Sequence, residues 1–218
     1  MKLFDLLAEY GAALLSGLGI TLQLTIIGII FASIIGVLCA LVNVSKNKYL
    51  KVITSIYINI IRGTPFLVQA YIIYFGLPMA LGIRMNEMTA GILAISLNAG
   101  AYMAEIMRGG IEAVDKGQME AARSLGLSYE KAMRKVILPQ AVRTMAPSLM
   151  NQFIITLKDT SILSVIGIRE LTMSGKLIIA KNYESMAMWT LVAFYYFIVI
   201  YGITKISRYI ERKTAYGK

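Results

Sequence analysis

The sequence predicts an all-α protein that crosses a membrane about five times, and three observations carry that reading. Apolar residues make up 57 % of the 218 positions and charged residues only 16 %, whereas soluble domains run near a quarter charged. Four runs hold no charge at all, 10–45, 63–83, 88–104 and 185–204, and a hydrocarbon core of about 30 Å takes roughly 20 such residues as helix. The basic residues, finally, sort by loop. Run lengths of this kind fit helices and not the strands of a barrel.

Spans at about 21–43, 53–81, 88–107, 146–166 and 185–204 put the termini on opposite sides. One side collects Lys46, Lys48 and Lys51, then Arg108, Lys116, Arg123, Lys131, Arg134, Lys135 and Arg143, then Lys205, Arg208, Arg212, Lys213 and Lys218. The other holds Lys2, Arg84, Arg169, Lys176 and Lys181, with Arg62 and Lys158 left inside spans. The positive-inside rule therefore sets the N-terminus outside and the C-terminus in the cytoplasm. On this reading the net charge of +10 reports topology, not nucleic-acid binding, and most basic residues anchor spans.

The elements follow in order. Residues 10–45 as one helix would reach about 54 Å, well beyond the bilayer. The expectation is an interfacial helix over 1–16, with Leu3, Phe4, Leu7, Leu14 and Leu15 on one face beside Asp5 and Glu9, and a bend at Gly17 and Gly19. This segment lacks a basic start followed by an apolar core and cleavage site, so no cleaved signal peptide is expected. In the first span Gly28, Ala32, Gly36 and Ala40 form a small-residue stripe for close packing, within the chain or along a dimer seam. Residues 53–81 are long for one span. Arg62-Gly63-Thr64-Pro65 interrupts them with the chemistry of a helix start, Thr64 at N-cap and Pro65 at N1, which suits either a kinked span or an interfacial elbow.

Between the third and fourth spans lies a polar island, 115–139. Asp115 can cap a first short helix, with Gln118 in the capping-box position. Gly126 stands where a left-handed residue is wanted, Ser128 can cap a second helix with Glu130 in its first turn, and Pro139 ends it. On the second helix Tyr129, Met133, Val136 and Ile137 share one face, and Lys131, Arg134 and Lys135 another. Ala121 and Ala122, flanked by Met119 and Leu125, allow close approach. A rigid helix-turn-helix of this kind suits docking into a groove of a cytoplasmic partner, although such a segment can also be a plain connector.

Several chemistries lose ground. The one cysteine, Cys39, lies in an apolar run, so there is no disulfide framework, and without histidine the usual metal sites and Ser/His or Cys/His catalysis are out of reach.

Glu120-Ala121-Ala122, Gly126 and Leu138-Pro139 resemble the coupling-loop motif of the membrane permease subunits of bacterial ABC importers, Glu-Ala-Ala, three residues, Gly, nine residues, Ile-x-Leu-Pro, with Val136 in place of the usual Ile. Arg62-Gly63-Thr64-Pro65 with Leu67-Val68-Gln69, the run from Asn98 through Tyr102, Glu105 and Arg108 to Ile111, and Lys158-Asp159-Thr160-Ser161 resemble the polar amino-acid subfamily. The resemblance covers nearly the whole chain. It implies one transmembrane permease domain over 1–218 in the bacterial cytoplasmic (inner) membrane. It further implies pairing with a second permease copy or a close relative, a cytoplasmic ATPase dimer bound to the loop, and an extracytoplasmic amino-acid-binding protein. No Gly-x-x-x-x-Gly-Lys-Ser/Thr run occurs in the sequence, so ATP and Mg belong to the partner ATPase and no cofactor is expected here.

Polar residues at membrane depth suggest the transport path, because they are costly there and face a cavity, a partner helix or each other. Asn98, Tyr102 and Glu105 fall at i, i+4 and i+7, and Gln152, Thr156 and Asp159 repeat that spacing on a helix running the other way. Asn98 and Thr156 both come out roughly 15 Å deep. The six are candidates for substrate binding, with Glu105 and Asp159 offering carboxylates to an ammonium group or a cationic side chain. The alternatives are bridging between helices, gating, or pairing of Asp159 with Lys158. The resulting expectation is an importer permease for a polar, possibly basic, amino acid, working by alternating access. A scaffold or channel that recruits a partner without pumping is the competing class, and a membrane-embedded enzyme the more distant one.

Overall fold

Helix α1 (Leu3–Val44) runs unbroken for 42 residues. The computed structural model describes residues 3–44 and 47–215, so Lys2, Lys46 and Lys218 of the charge pattern lie outside the described residues. The expected bend at Gly17 and Gly19, and with it a separate helix over 1–16, is not found: both glycines sit inside α1. Gly17 has a different use. A Cβ there would come within 3.1 Å of the Glu170 carbonyl oxygen and 3.0 Å of Ser174 Cβ, so the missing side chain lets α1 lie against α9 (Leu171–Asn182). Leu6 and Leu14 are fully buried in a cluster with Leu171, Ile178, Met188 and Leu191, which holds the N-terminal end of α1 in the fold.

The small-residue stripe serves packing within the chain. Gly28, Ala32 and Gly36 are buried against α5 (Glu87–Glu112), where a Cβ on Gly28 would collide with Ile95 and one on Gly36 would meet Met103 Cβ at 3.0 Å. Gly100 reciprocates, facing Ile35. Two helices this close leave no room for branched side chains at the crossing.

The interrupted second span is an elbow. Helix α2 (Lys48–Arg62) stops at Gly63, and the chain resumes at Phe66 and runs to Leu81 after turning by 108°. Asn47 caps α2 by accepting from the amides of Tyr49 and Leu50. The cap of α3 (Phe66–Tyr71) is Pro65 and not Thr64, whose hydroxyl donates back to the Ile60 carbonyl at 2.8 Å. After α3 comes a π-helical turn, Ile72–Gly76, and then α4 (Leu77–Leu81).

Past α5 the island forms α6 (Lys116–Ser124) and α7 (Tyr129–Ala132). Pro139 does not end the second helix. A π-helical turn, Met133–Ile137, leads straight into α8 (Leu138–Asp159), so the helix expected to start near residue 146 is continuous with the island. The two π turns share a cause. Each immediately precedes a Leu-Pro step, Leu77-Pro78 and Leu138-Pro139, and each closes with an i→i−5 bond, Leu77 N–H to Ile72 O and Leu138 N–H to Met133 O. Proline lacks an amide hydrogen and crowds the carbonyl four residues back, and one wide turn accommodates both without breaking the helix.

Helix α8 ends at Asp159 and a 3₁₀ segment, Thr160–Ile166, carries the chain to Gly167, which is left-handed at φ 92°. Glu170, fully buried, caps α9 by accepting from the amides of Thr172 and Met173 at 2.8 and 2.7 Å, and the Tyr196 hydroxyl donates to it at 2.9 Å. Helix α10 (Ser185–Ala215) completes the described chain. By length and composition α1, α5 and α10 are each able to cross a membrane, and the bent pair across the elbow passes together. Among the described residues there is no strand.

Candidate functional site: a polar cavity and a surface bracket

Three elements surround a cavity of about 360 Å³: the elbow with Thr64, Pro65 and Phe66, α5 with Asn98 and Tyr102, and α8 with Gln152, Ile155 and Asp159. The antiparallel stripes read from the sequence do converge, since Asn98, Tyr102, Gln152 and Asp159 share this space. Two of the six candidates stand apart. Thr156 is buried behind the wall, 2 % exposed, where its hydroxyl accepts from Gln152 Nε2 at 3.4 Å. Glu105 lies one turn below Tyr102 and does not line the cavity: Arg108 donates to its two oxygens through Nε and Nη2, each at 3.0 Å, and Arg62 Nη1 approaches at 3.1 Å.

The elbow's contribution was missed by periodicity, because no helical stripe predicts what a turn brings in from another element. Gln69 is its fastener. Its Nε2 donates to the Ile61 carbonyl (2.7 Å), the Thr64 carbonyl (3.1 Å) and the Thr64 hydroxyl (2.9 Å), while its Oε1 accepts from Asn98 Nδ2 at 2.9 Å. Buried amides left unpaired would cost about 1–3 kcal/mol each, so this network holds the elbow and α5 in a single arrangement. Asn98 is thereby partly committed to structure, one amide hydrogen spent on Gln69. Arg62 does not line the cavity but lies against one of its walls, its guanidinium carbon 5.6 Å from the Tyr102 ring centroid. The wall thus offers one carboxylate, two amides, a phenol and a threonine hydroxyl between apolar surfaces, a donor set that suits a small zwitterion with a polar side chain.

The bracket, α6 and α7 with the turn between them, has the capping chemistry its sequence suggests. Asp115 accepts from the Gly117 amide at 2.7 Å, Ser128 from that of Lys131 at 3.4 Å, and Gly126 is left-handed at φ 83°. Gln118 makes no capping-box bond; its Oε1 accepts from Gln140 Nε2 at 3.3 Å and ties α6 to the start of α8. Glu120, Ala121, Leu125, Leu138 and Pro139 are exposed, with Leu125 showing 85 % of its surface. Ala122 is not part of that surface. It is 4 % exposed and packs inward. A hollow of about 520 Å³ lies under the bracket, lined by Ile111, Glu112 and Asp115 on one side and by Met119, Tyr129, Met133 and Ile137 on the other.

Comparison with known proteins identifies the family. Residues 28–216 match the family described as "Binding-protein-dependent transport system inner membrane component". The chain belongs to this family. It is accordingly an inner-membrane transport component that depends on a binding protein. It is 41 % identical over 201 residues to the glutamine transport system permease protein GlnP of Escherichia coli, with 92 % of each chain covered. To the arginine transport system permease protein ArtQ of Bacillus subtilis it is 36 % identical over 200 residues, covering 92 % of this chain and 91 % of that one. Among solved structures, one described as "Crystal structure of an amino acid ABC transporter with histidines" superposes with a TM-score of 0.93 at 40 % identity, covering 98 % of this chain and 99 % of that one. An inward-facing MetNI methionine ABC transporter shares the fold, with a TM-score of 0.80 at 22 % identity over 94 % of this chain and 98 % of that one.

Proposed function

We propose that this chain is the permease subunit of an ATP-driven importer for a polar amino acid, and the observation that carries the reading is the pairing of a zwitterion-sized polar cavity with an exposed bracket on one rigid helical frame. The permease performs no covalent chemistry. Five spans with the N-terminus outside set the bracket in the cytoplasm, where a dimeric ATPase carrying ATP and Mg seats on Glu120, Ala121, Gly126, Leu138 and Pro139. ATP-driven closure of the ATPase moves the bracket, and the cavity between the elbow, α5 and α8 alternates its access. A second permease copy or close relative pairs with this one, and the external binding protein delivers the substrate. Asp159 meets the α-ammonium, and Asn98, Tyr102 and Gln152 supply hydrogen bonds. Similarity to a glutamine and to an arginine transport system permease supports an amino-acid substrate.

The scaffold or channel reading has no comparable support. Proteoliposomes holding this chain, its ATPase and its binding protein test the proposal with a panel of labelled amino acids. Uptake of one class that requires ATP supports it; ATP hydrolysis stimulated by the loaded binding protein without uptake of any amino acid contradicts it.

A further inference from the structure

We propose that Arg108 is a positioning residue that couples the bracket to the cavity through a chain of ion pairs, Glu112, Arg108, Glu105 and Arg62. The chain is continuous in the structure. Arg108 Nη1 donates to Glu112 Oε2 at 2.6 Å, its Nε and Nη2 hold the two oxygens of Glu105 at 3.0 Å, and Arg62 Nη1 takes Glu105 Oε2 at 3.1 Å. Each end reaches a functional feature. Glu112 lines the hollow under the bracket beside Asp115 and Met119, and Arg62 lies against the Tyr102 ring and directly precedes the elbow residues Thr64, Pro65 and Phe66 that wall the cavity.

Stability alone does not account for this chain. Arg62 and Arg108 are 41 % exposed and Glu112 63 %, so solvent screens their pairs, and the bidentate grip on Glu105, itself 23 % exposed, is the part that adds to folding free energy. Glu112, Arg108 and Glu105 all stand on α5, so the pair that crosses between elements is Arg62–Glu105, and it links α5, which leads covalently into the bracket, to the end of α2, which does not. Two hydrogen bonds also join these elements, from the Tyr57 hydroxyl to the Leu97 carbonyl and from Asn98 Nδ2 to Gln69 Oε1, but Arg62–Glu105 is the polar joint nearest the end of α5 that leads into the bracket, and paired charges held by a planar fork keep a fixed register. Arg108 is the member that cannot be exchanged for another cation. Its guanidinium binds Glu105 bidentately and Glu112 at the same time, whereas a lysine ammonium is a single point charge. Glu105 consequently serves the cavity from outside, by fixing Arg62 and the elbow, and does not touch the solute in this state.

The inference rests on the permease reading, and the quantity to measure is ATP hydrolysed per amino acid imported by the reconstituted complex. In Arg108→Lys that ratio rises several-fold, with the KM for uptake unchanged and the complex assembled at wild-type yield. Glu112→Gln, which breaks the chain at its exposed end, moves the ratio the same way and serves where Arg108→Lys lowers assembly. Wild-type ratios in both variants overturn the proposal, as does a fall in assembly with the ratio held constant, the signature of a purely structural role. A wild-type complex that imports no amino acid at all sinks the permease reading instead, and so separates the two failures.

Discussion

Gln69 shows how one amide positions a functional wall. It donates to three acceptors on its own elbow and accepts from Asn98 on α5, so both ends of the side chain are used. Gln69→Glu keeps an acceptor for Asn98 and removes the donors, leaving the Ile61 and Thr64 carbonyls facing a carboxylate. The expected loss is about 1–3 kcal/mol, read as a lower thermal midpoint in detergent; an unchanged midpoint would show that water satisfies the elbow. Asp159 is the wall's carboxylate. In Asp159→Asn the KM for uptake rises about tenfold, equivalent to about 1.4 kcal/mol, with ATP hydrolysis still stimulated by the loaded binding protein. A KM equal to that of the wild type would remove Asp159 from substrate contact. At this scale the sequence exposed the stripes, because i, i+4, i+7 spacing is local geometry. The pairing of Glu105 with Arg108, three residues on, was within reach of the same local geometry, but the approach of Arg62 was not, since it arrives on another helix.

Caps were legible at the scale of elements because each is a bond between near neighbours: Asp115, Ser128 and the left-handed Gly126 were all readable from residue type and spacing. Proline as a helix stop was not a safe reading. Pro139 is absorbed by the π turn before it, so the helix continues past the Leu-Pro step into α8. Gly17 misled in the opposite sense, because a glycine that permits close approach looks the same in sequence as one that permits a bend, while a Cβ on Gly19 would meet nothing within 4 Å. Two substitutions separate these uses of glycine. A Cβ on Gly126 meets nothing within 4 Å, so only its backbone conformation resists replacement. Gly126→Asn, which tolerates that conformation, is expected to retain the fold of the bracket, and Gly126→Val to lose about 1–2 kcal/mol there; limited proteolysis of the bracket distinguishes them. On Gly36 the obstruction is Met103 and the Ala104 backbone, so Gly36→Leu overpacks the crossing of α1 and α5 by about 1–3 kcal/mol. Thermal unfolding with a wild-type midpoint would refute that.

The whole molecule is a frame in which the 42-residue α1 is packed against α2, α5, α8, α9 and α10. Apolar composition and run length made the helical membrane class readable at once, since burying backbone in lipid leaves few other solutions. Helix boundaries around the elbow and α8 were less readable, because Arg143, Pro147 and Lys158, all exposed on α8, dilute its apolar signal. Orientation is open to a direct check. With Cys39→Ser as background, a cysteine at Ser128 should react with an impermeant maleimide only from the cytoplasmic side, and one at Lys181 only from outside; the reverse pattern inverts the topology.

The central claim is that energy enters at the bracket and concentrates an amino acid through the cavity. Its most direct test is the internal level of a labelled amino acid in proteoliposomes of the complete complex, compared between the wild type and Gly126→Asp. The account predicts ATP-dependent accumulation above the external concentration in the wild type and none in the variant. Equilibration to the external level without ATP, equal in both proteins, would contradict it and identify a channel.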